Sequence, residues 1–181
     1  PDAGEGLEAV IELLGGRVER LPAAPQMVDL VTVHKTIYDY EIARNMADIV
    51  AHNGGRISEE MRAALERAKA ISDAEYEDAL GVKQSAEDFF VSHYNEFDAI
   101  LAPSATGEAL RLSEGSTGDA IFCVIWTLAG LPCLSIPALV GENGLPVGLQ
   151  LIGANEEVDR LMRTASWVQT ALSRAQETGE T

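Results

Sequence analysis

The chain has 181 residues, 46% of them hydrophobic, which is enough for a sizeable core. Asp and Glu number 29 against 13 Lys and Arg, a formal net charge of −16. Nucleic acid and anionic membrane surfaces are therefore not expected partners, since both call for a positive protein face. The longest apolar stretch, residues 120–137, is split by Gly130 and Pro132, so no transmembrane helix is predicted.

The first residues, Pro1-Asp2-Ala3-Gly4-Glu5, carry neither a signal-peptide core nor an initiator Met. That start fits a fragment, a processed chain or an excised domain. Leu7, Val10, Ile11 and Leu14 have helical spacing, and Gly15-Gly16 is a natural stop. Val18 to Leu21 reads as a short strand closed by Pro22. Residues 26–50 read as a longer helix with Val31, Tyr38, Ile42, Met46 and Ile49 facing inward, broken at Asn53-Gly54-Gly55.

Ser58 is a predicted N-cap with Glu59 and Glu60 in the favoured first turn, and its helix runs to about Ala70. Ser72-x-x-Glu75 has the capping-box pattern and opens another helix reaching about Tyr94, anchored by Leu80, Phe89 and Phe90. Ala99 to Ala102 is a predicted buried strand ending at Pro103. A loop rich in Gly, Ser and Thr follows over residues 104–119. Ile121 to Ala129 reads as a helix and Cys133 to Ile136 as a strand ending before Pro137. Asn143-Gly144 signals a hairpin to a strand over Val147 to Ile152. Asn155 is the expected cap of a last helix with Val158, Leu161, Ala165, Val168 and Leu172 on one side, fraying from Ala175.

These elements predict the α/β class: one domain over 1–181, with a mixed small sheet of three or four strands flanked by helices. In a larger parent protein these strands would extend a sheet built by a further segment. Cys123 and Cys133 lie in apolar surroundings and form no disulfide or zinc pattern; buried thiols in a reduced, cytoplasmic setting are expected.

Chemistry-bearing groups are sparse. His34, His52 and His93 are far apart and show no metal-ligand spacing, so no metal or cofactor is expected. A Cys-His hydrolase would need the fold to bring Cys133 to one of them. Glu59-Glu60 and Glu156-Glu157 read as helix-start charges. Asp119 is placed to cap the helix after it, or to hydrogen-bond a polar substrate group from the loop; Ser116 and Thr117 carry the same two readings.

The block from Gly115 to Gly153, GSTGDAIFCVIWTLAGLPCLSIPALVGENGLPVGLQLIG, resembles the C-terminal region of amidase-signature hydrolases. Leu14-Gly15-Gly16 with Val18 to Pro22, Tyr40-Glu41-Ile42-Ala43-Arg44, Ile71-Ser72-x-x-Glu75-Tyr76-x-x-Ala79 and Asp98 to Pro103 resemble upstream family passages in order and spacing. The resemblance implies the C-terminal part of the amidase-signature fold, in an enzyme that cleaves a carboxamide to an acid plus ammonia or amine. The family mechanism implies a Lys, a bridging Ser on a cis peptide and a nucleophilic Ser in a Gly/Ser-rich stretch. No such stretch occurs in this chain. Gly115-Ser116-Thr117-Gly118 with Lys35 upstream is a superficial match, but its surroundings belong to the later segment and the bridging Ser has no counterpart.

No catalytic residue is therefore assigned, and the isolated chain is expected to be inactive. By the same resemblance, Phe122, Ile125 and Trp126 are candidate substrate-pocket wall residues, with plain core as the alternative. Asp119 is the candidate polar contact. Thr127 stands where many members carry Asn, which leaves the substrate class open and argues against the amidotransferase branch. The implied partners are a small-molecule amide, a second copy of the chain, or an N-terminal segment of the same protein. A catalytically empty binding or assembly module is the alternative.

Overall fold

The computed structural model describes residues 3–21 and 29–178. In chain order its main elements are α1 (Ala3–Leu14), α2 (Leu30–Asn45), α3 (Ala47–Asn53), α4 (Glu59–Ala68), α5 (Asp73–His93), β1 (Ile100–Pro103), α6 (Ile121–Leu128), β2 (Cys133–Val140), β3 (Pro146–Ile152) and α7 (Val158–Thr178). The α/β expectation holds, with three strands in one small sheet that is antiparallel throughout rather than mixed. The chain divides into two compact units, one of residues 1–23 and 89–181 and the other of residues 24–88. Helix α5 begins in the second unit and finishes in the first. No described helix is long and apolar enough to cross a membrane.

In the first unit, β3 is the central strand, antiparallel to β1 on one side and β2 on the other. Period-two alternation sends Leu149 and Leu151 to one face of β3, where they meet Val10 and Leu14 of α1 and Leu161, Ala165 and Val168 of α7. Leu149 and Leu151 are 0% and 2% exposed. Burying each such side chain contributes about 1.5–3 kcal/mol. Gly148 and Gln150 alternate to the opposite face.

Strand β2 does not stop at Pro137 as expected. It runs through to Val140, with an irregularity in its pairing between Pro137 and Leu139. A proline lacks a ladder donor, but β2 is an edge strand and tolerates it there. The Asn143-Gly144 hairpin forms as predicted, with Gly144 at φ +80°. Arg160 of α7 donates to the carbonyl of Tyr94 at 2.8 Å, and the Tyr94 hydroxyl donates to the carbonyl of Ile152 at 3.2 Å. These bonds tie the end of α5 to α7 and the sheet.

In the second unit the predicted caps form. Ser58 Oγ accepts the Met61 N–H at 3.2 Å, and Ser72 and Glu75 bond reciprocally across the first turn of α5. The helix predicted over 26–50 divides at Met46 into α2 and α3, and its buried face is a different one. Val31, Tyr38 and Ile49 are exposed, whereas Leu30, Ile37, Asp39 and Tyr40 are buried. Hydrophobicity does not mark that face because it carries a carboxylate. Asp39 receives Arg67 Nε at 2.9 Å, Arg67 NH2 at 3.1 Å and Lys35 Nζ at 2.6 Å. Burial raises its pKa, but the Arg67 and Lys35 hydrogen bonds outweigh that and hold it below the ordinary carboxylate value. Tyr40 stacks on Tyr76 at 3.9 Å, and its hydroxyl donates to Asp73 at 2.7 Å.

Three smaller expectations need correction. Val18 to Leu21 forms no strand and pairs with neither edge strand, β1 or β2. Pro22, and the part of the predicted second helix at residues 26–28, lie outside the described residues. Asn155 does not cap α7, which starts three residues later at Val158 after Glu156 at φ +66°. The helix does not fray at Ala175; that residue is buried and α7 continues to Thr178.

Candidate functional site

The site is built where β1 ends and α6 begins. Past Pro103, Ser104 keeps one more bond to the central strand, its N–H donating to Gly148 at 2.9 Å. The chain then leaves the sheet as the loop of residues 105–120. That loop and the start of β3 enclose a cleft of about 720 Å³, lined by Thr106, Gly107, Ser116, Thr117, Asp119 and Gly148 among others. Its size falls in the usual range for small-molecule sites.

Two clamps fix the cleft. Glu108 accepts three hydrogen bonds from the hairpin turn: Asn143 N–H at 2.9 Å, Asn143 Nδ2 at 2.8 Å and Leu145 N–H at 3.0 Å. The Asn143 side-chain bond leads in holding the Glu108 carboxyl below its ordinary pKa. The Glu108 stem crosses directly over Gly141, where an added Cβ would lie 2.2 Å from its Cγ. The second clamp is Gln150, 4% exposed in the middle of β3. Its Nε2 donates to the carbonyls of Pro103 at 2.8 Å and Phe122 at 2.7 Å. One buried amide thus joins β1, β3 and α6.

Asp119 lines the cleft, and its Oδ1 accepts the Ile121 N–H at 2.9 Å, satisfying an otherwise open donor at the start of α6. The N-cap position itself is Ala120, so Asp119 braces the helix start from one residue before the cap while lining the cleft. Ser116 Oγ accepts the Gly118 N–H at 3.1 Å. Lys35, its superficial partner in sequence, belongs to the other unit and donates to Asp39. Ser104 and Ser135 hydrogen-bond through their hydroxyls at 2.7 Å, above Gly148, where a Cβ would come within 2.6 Å of Ser135 Oγ. Gly148 is small because this hydroxyl pair occupies the space.

The three candidate wall residues sit on α6 but not on the cleft. Trp126 is 7% exposed and packs edge-on against Phe90 at 5.2 Å. Phe122 and Ile125 are half-buried. Cys123 and Cys133 are exposed rather than buried, because this side of α6 and β2 is left uncovered in the described residues. Among those residues no three His, Cys, Asp or Glu side chains gather as metal ligands. Sequence reasoning missed Glu108, whose partners lie more than thirty residues away. It also missed Gln150, although a lone amide between Leu149 and Leu151 is a visible signal of a satisfied buried donor.

The family model described as Amidase matches residues 19–161. The chain is 35% identical over 111 residues to the A subunit of glutamyl-tRNA(Gln) amidotransferase from Rickettsia bellii (strain RML369-C), covering 58% of this chain and 22% of that protein. It is 41% identical over 87 residues to the protein of the same name from Novosphingobium aromaticivorans, covering 45% of this chain and 18% of that one. A structure titled "Crystal structure of amidase" superposes with a TM-score of 0.77 at 23% identity, over 92% of this chain and 41% of that chain. The matched parts span about a fifth of the curated relatives' length.

Proposed function

This chain belongs to the amidase family, and on that premise we propose that it is the C-terminal part of a longer enzyme that hydrolyses a carboxamide C–N bond to a carboxylic acid and ammonia or amine. The family match over residues 19–161 carries the reading. On it, the nucleophile and its base come from a segment outside these residues. This chain supplies one side of the substrate pocket. The cleft edge at Asp119 offers a carboxylate held in place by the Ile121 N–H, suited to accept a hydrogen bond from a substrate N–H. Phe122 and Ile125, half-buried on α6, would form the apolar wall that orients the acyl or leaving group and excludes water. Trp126 would support that wall from behind, through its contact with Phe90.

Leu112 at 98% exposed and Val140 at 62% are apolar side chains left open on the same unit, which supports association with a further segment or a second copy. Two exposed free thiols suit a reducing, cytoplasmic compartment. A second reading draws on the curated relatives, which are amidotransferase subunits. On that reading the parent works in a multi-subunit complex, and the nitrogen passes to an acceptor.

Kinetics of the longer polypeptide on simple amides distinguish the two. Ammonia release by the purified parent alone, with Phe122→Ala raising KM for aryl amides more than for acetamide, supports the hydrolase. Activity only after addition of partner subunits supports the amidotransferase, and no amide turnover in either setting overturns both.

A further inference from the structure

A second site lies on the first unit, away from the loop cleft. Two adjoining hollows of about 350 and 430 Å³ share Arg17, Phe97, Ala99, Thr164 and Trp167, and so form one groove between the end of α1 and the outer side of α7. Its floor reaches the core, with Leu14, Leu151 and Val168 at 7%, 2% and 2% exposed. Its wall carries the Trp167 indole, 45% exposed although large and apolar.

Four guanidiniums line this groove in an otherwise acidic chain. Two are paired, Arg20 with Glu8, which also lines the groove, and Arg160 with Glu157. Arg17 and Arg163 both line the groove, and neither has an ion pair or hydrogen bond among the described residues. Glu19 and Asp98 also border it, both exposed. Two guanidiniums left open beside a solvent-facing indole and an apolar floor are the parts needed to hold one kind of molecule. The floor takes an apolar body, the indole stacks on it, and the planar guanidiniums bind a carboxylate in forked geometry.

We propose that this groove binds an amphipathic monocarboxylate, an acid with an aryl or short alkyl body, at a site separate from the loop cleft. The assignment does not rest on the amide chemistry proposed above.

The test uses the 181-residue chain and three probes: 4-phenylbutyrate, the matched neutral 4-phenylbutanol, and acetate. Binding is read by Trp167 fluorescence and, independently, by titration calorimetry. Trp167→Phe identifies the optical signal, since Trp126 is buried. The expected result is saturable binding of 4-phenylbutyrate, about tenfold or more weaker binding of the alcohol, and none of acetate, as one charge-assisted bond pair implies. Arg17→Met and Arg163→Met should each weaken the acid about tenfold and leave the alcohol unchanged. Both side chains are exposed, so the variants should fold, which circular dichroism checks. Equal affinity for acid and alcohol, no saturable binding of the acid, or unchanged binding in both variants would overturn the proposal.

Discussion

Replacing Gln150 tests whether one buried amide holds the site helix to the sheet. In Gln150→Leu the apolar volume is roughly kept, but the Pro103 and Phe122 carbonyls lose the donor at 2.8 and 2.7 Å. Each lost bond removes about 1 kcal/mol net, and a buried carbonyl left bare costs about 1–3 kcal/mol more. The Phe122 carbonyl sits within a helix, so it loses only its bond, whereas the Pro103 carbonyl is also left bare, and the expected total is about 3–5 kcal/mol. Gln150→Glu sharpens the test. Its carboxylate would face two carbonyl oxygens, while a protonated carboxyl could donate to one of them.

The folded pKa of the introduced carboxyl would therefore be raised. Such a group stabilises below its unfolded pKa, about 4.3, and that contribution is lost as pH rises through the raised folded value. The variant should approach wild-type stability near pH 4 and fall behind it at pH 7. Urea unfolding, followed by the fluorescence of Trp126 on the same helix, reads both effects. Gln150→Leu within 0.5 kcal/mol of wild type, or Gln150→Glu equally stable relative to wild type at both pH values, would refute the reasoning.

Asp39→Ala should cost about 2 kcal/mol, since the carboxylate is buried but the cations it leaves behind are half-exposed and can rehydrate. Because the folded Asp39 pKa is lowered, its contribution is present above the unfolded carboxylate pKa and fades as pH falls through the folded one. Urea midpoints of wild type and variant should therefore converge in acid; a constant gap would count against this. Cys123 and Cys133 should both react with a maleimide in the native protein, and mass spectrometry showing protection of both until unfolding would contradict their exposure. Gly141→Ala should displace the Glu108 stem and loosen residues 105–111, read as faster amide exchange there; unchanged protection would show that the Glu108 clamp does not order the loop.

Much of the first unit was legible because its residues repeat simple periods. Leu149 and Leu151 alternate on β3, Leu161, Ala165 and Val168 recur at helical spacing on α7, and Asn143-Gly144 marks its turn. The capping residues Ser58, Ser72 and Glu75 could be read for the same reason: their partners are local. What was not legible depends on long-range pairing. The buried face of α2 follows Asp39, whose cost of burial is offset by Arg67, 28 residues away. Strand β2 passes Pro137 only because it lies at an edge, which no local pattern reveals. At the site, Asp119 was visible as an acceptor at the start of α6, although the cap position is Ala120, whereas Glu108 and Gln150 act on residues 28 to 47 positions distant.

The most direct test of the central claim is ammonia release from benzamide and acetamide by the purified 181-residue chain and its Ser116→Ala variant. The account predicts no turnover by either, because the proposed function takes the nucleophile and its base from outside these residues. Steady ammonia release by the chain, abolished by Ser116→Ala, would contradict it and place the catalytic serine in the loop cleft.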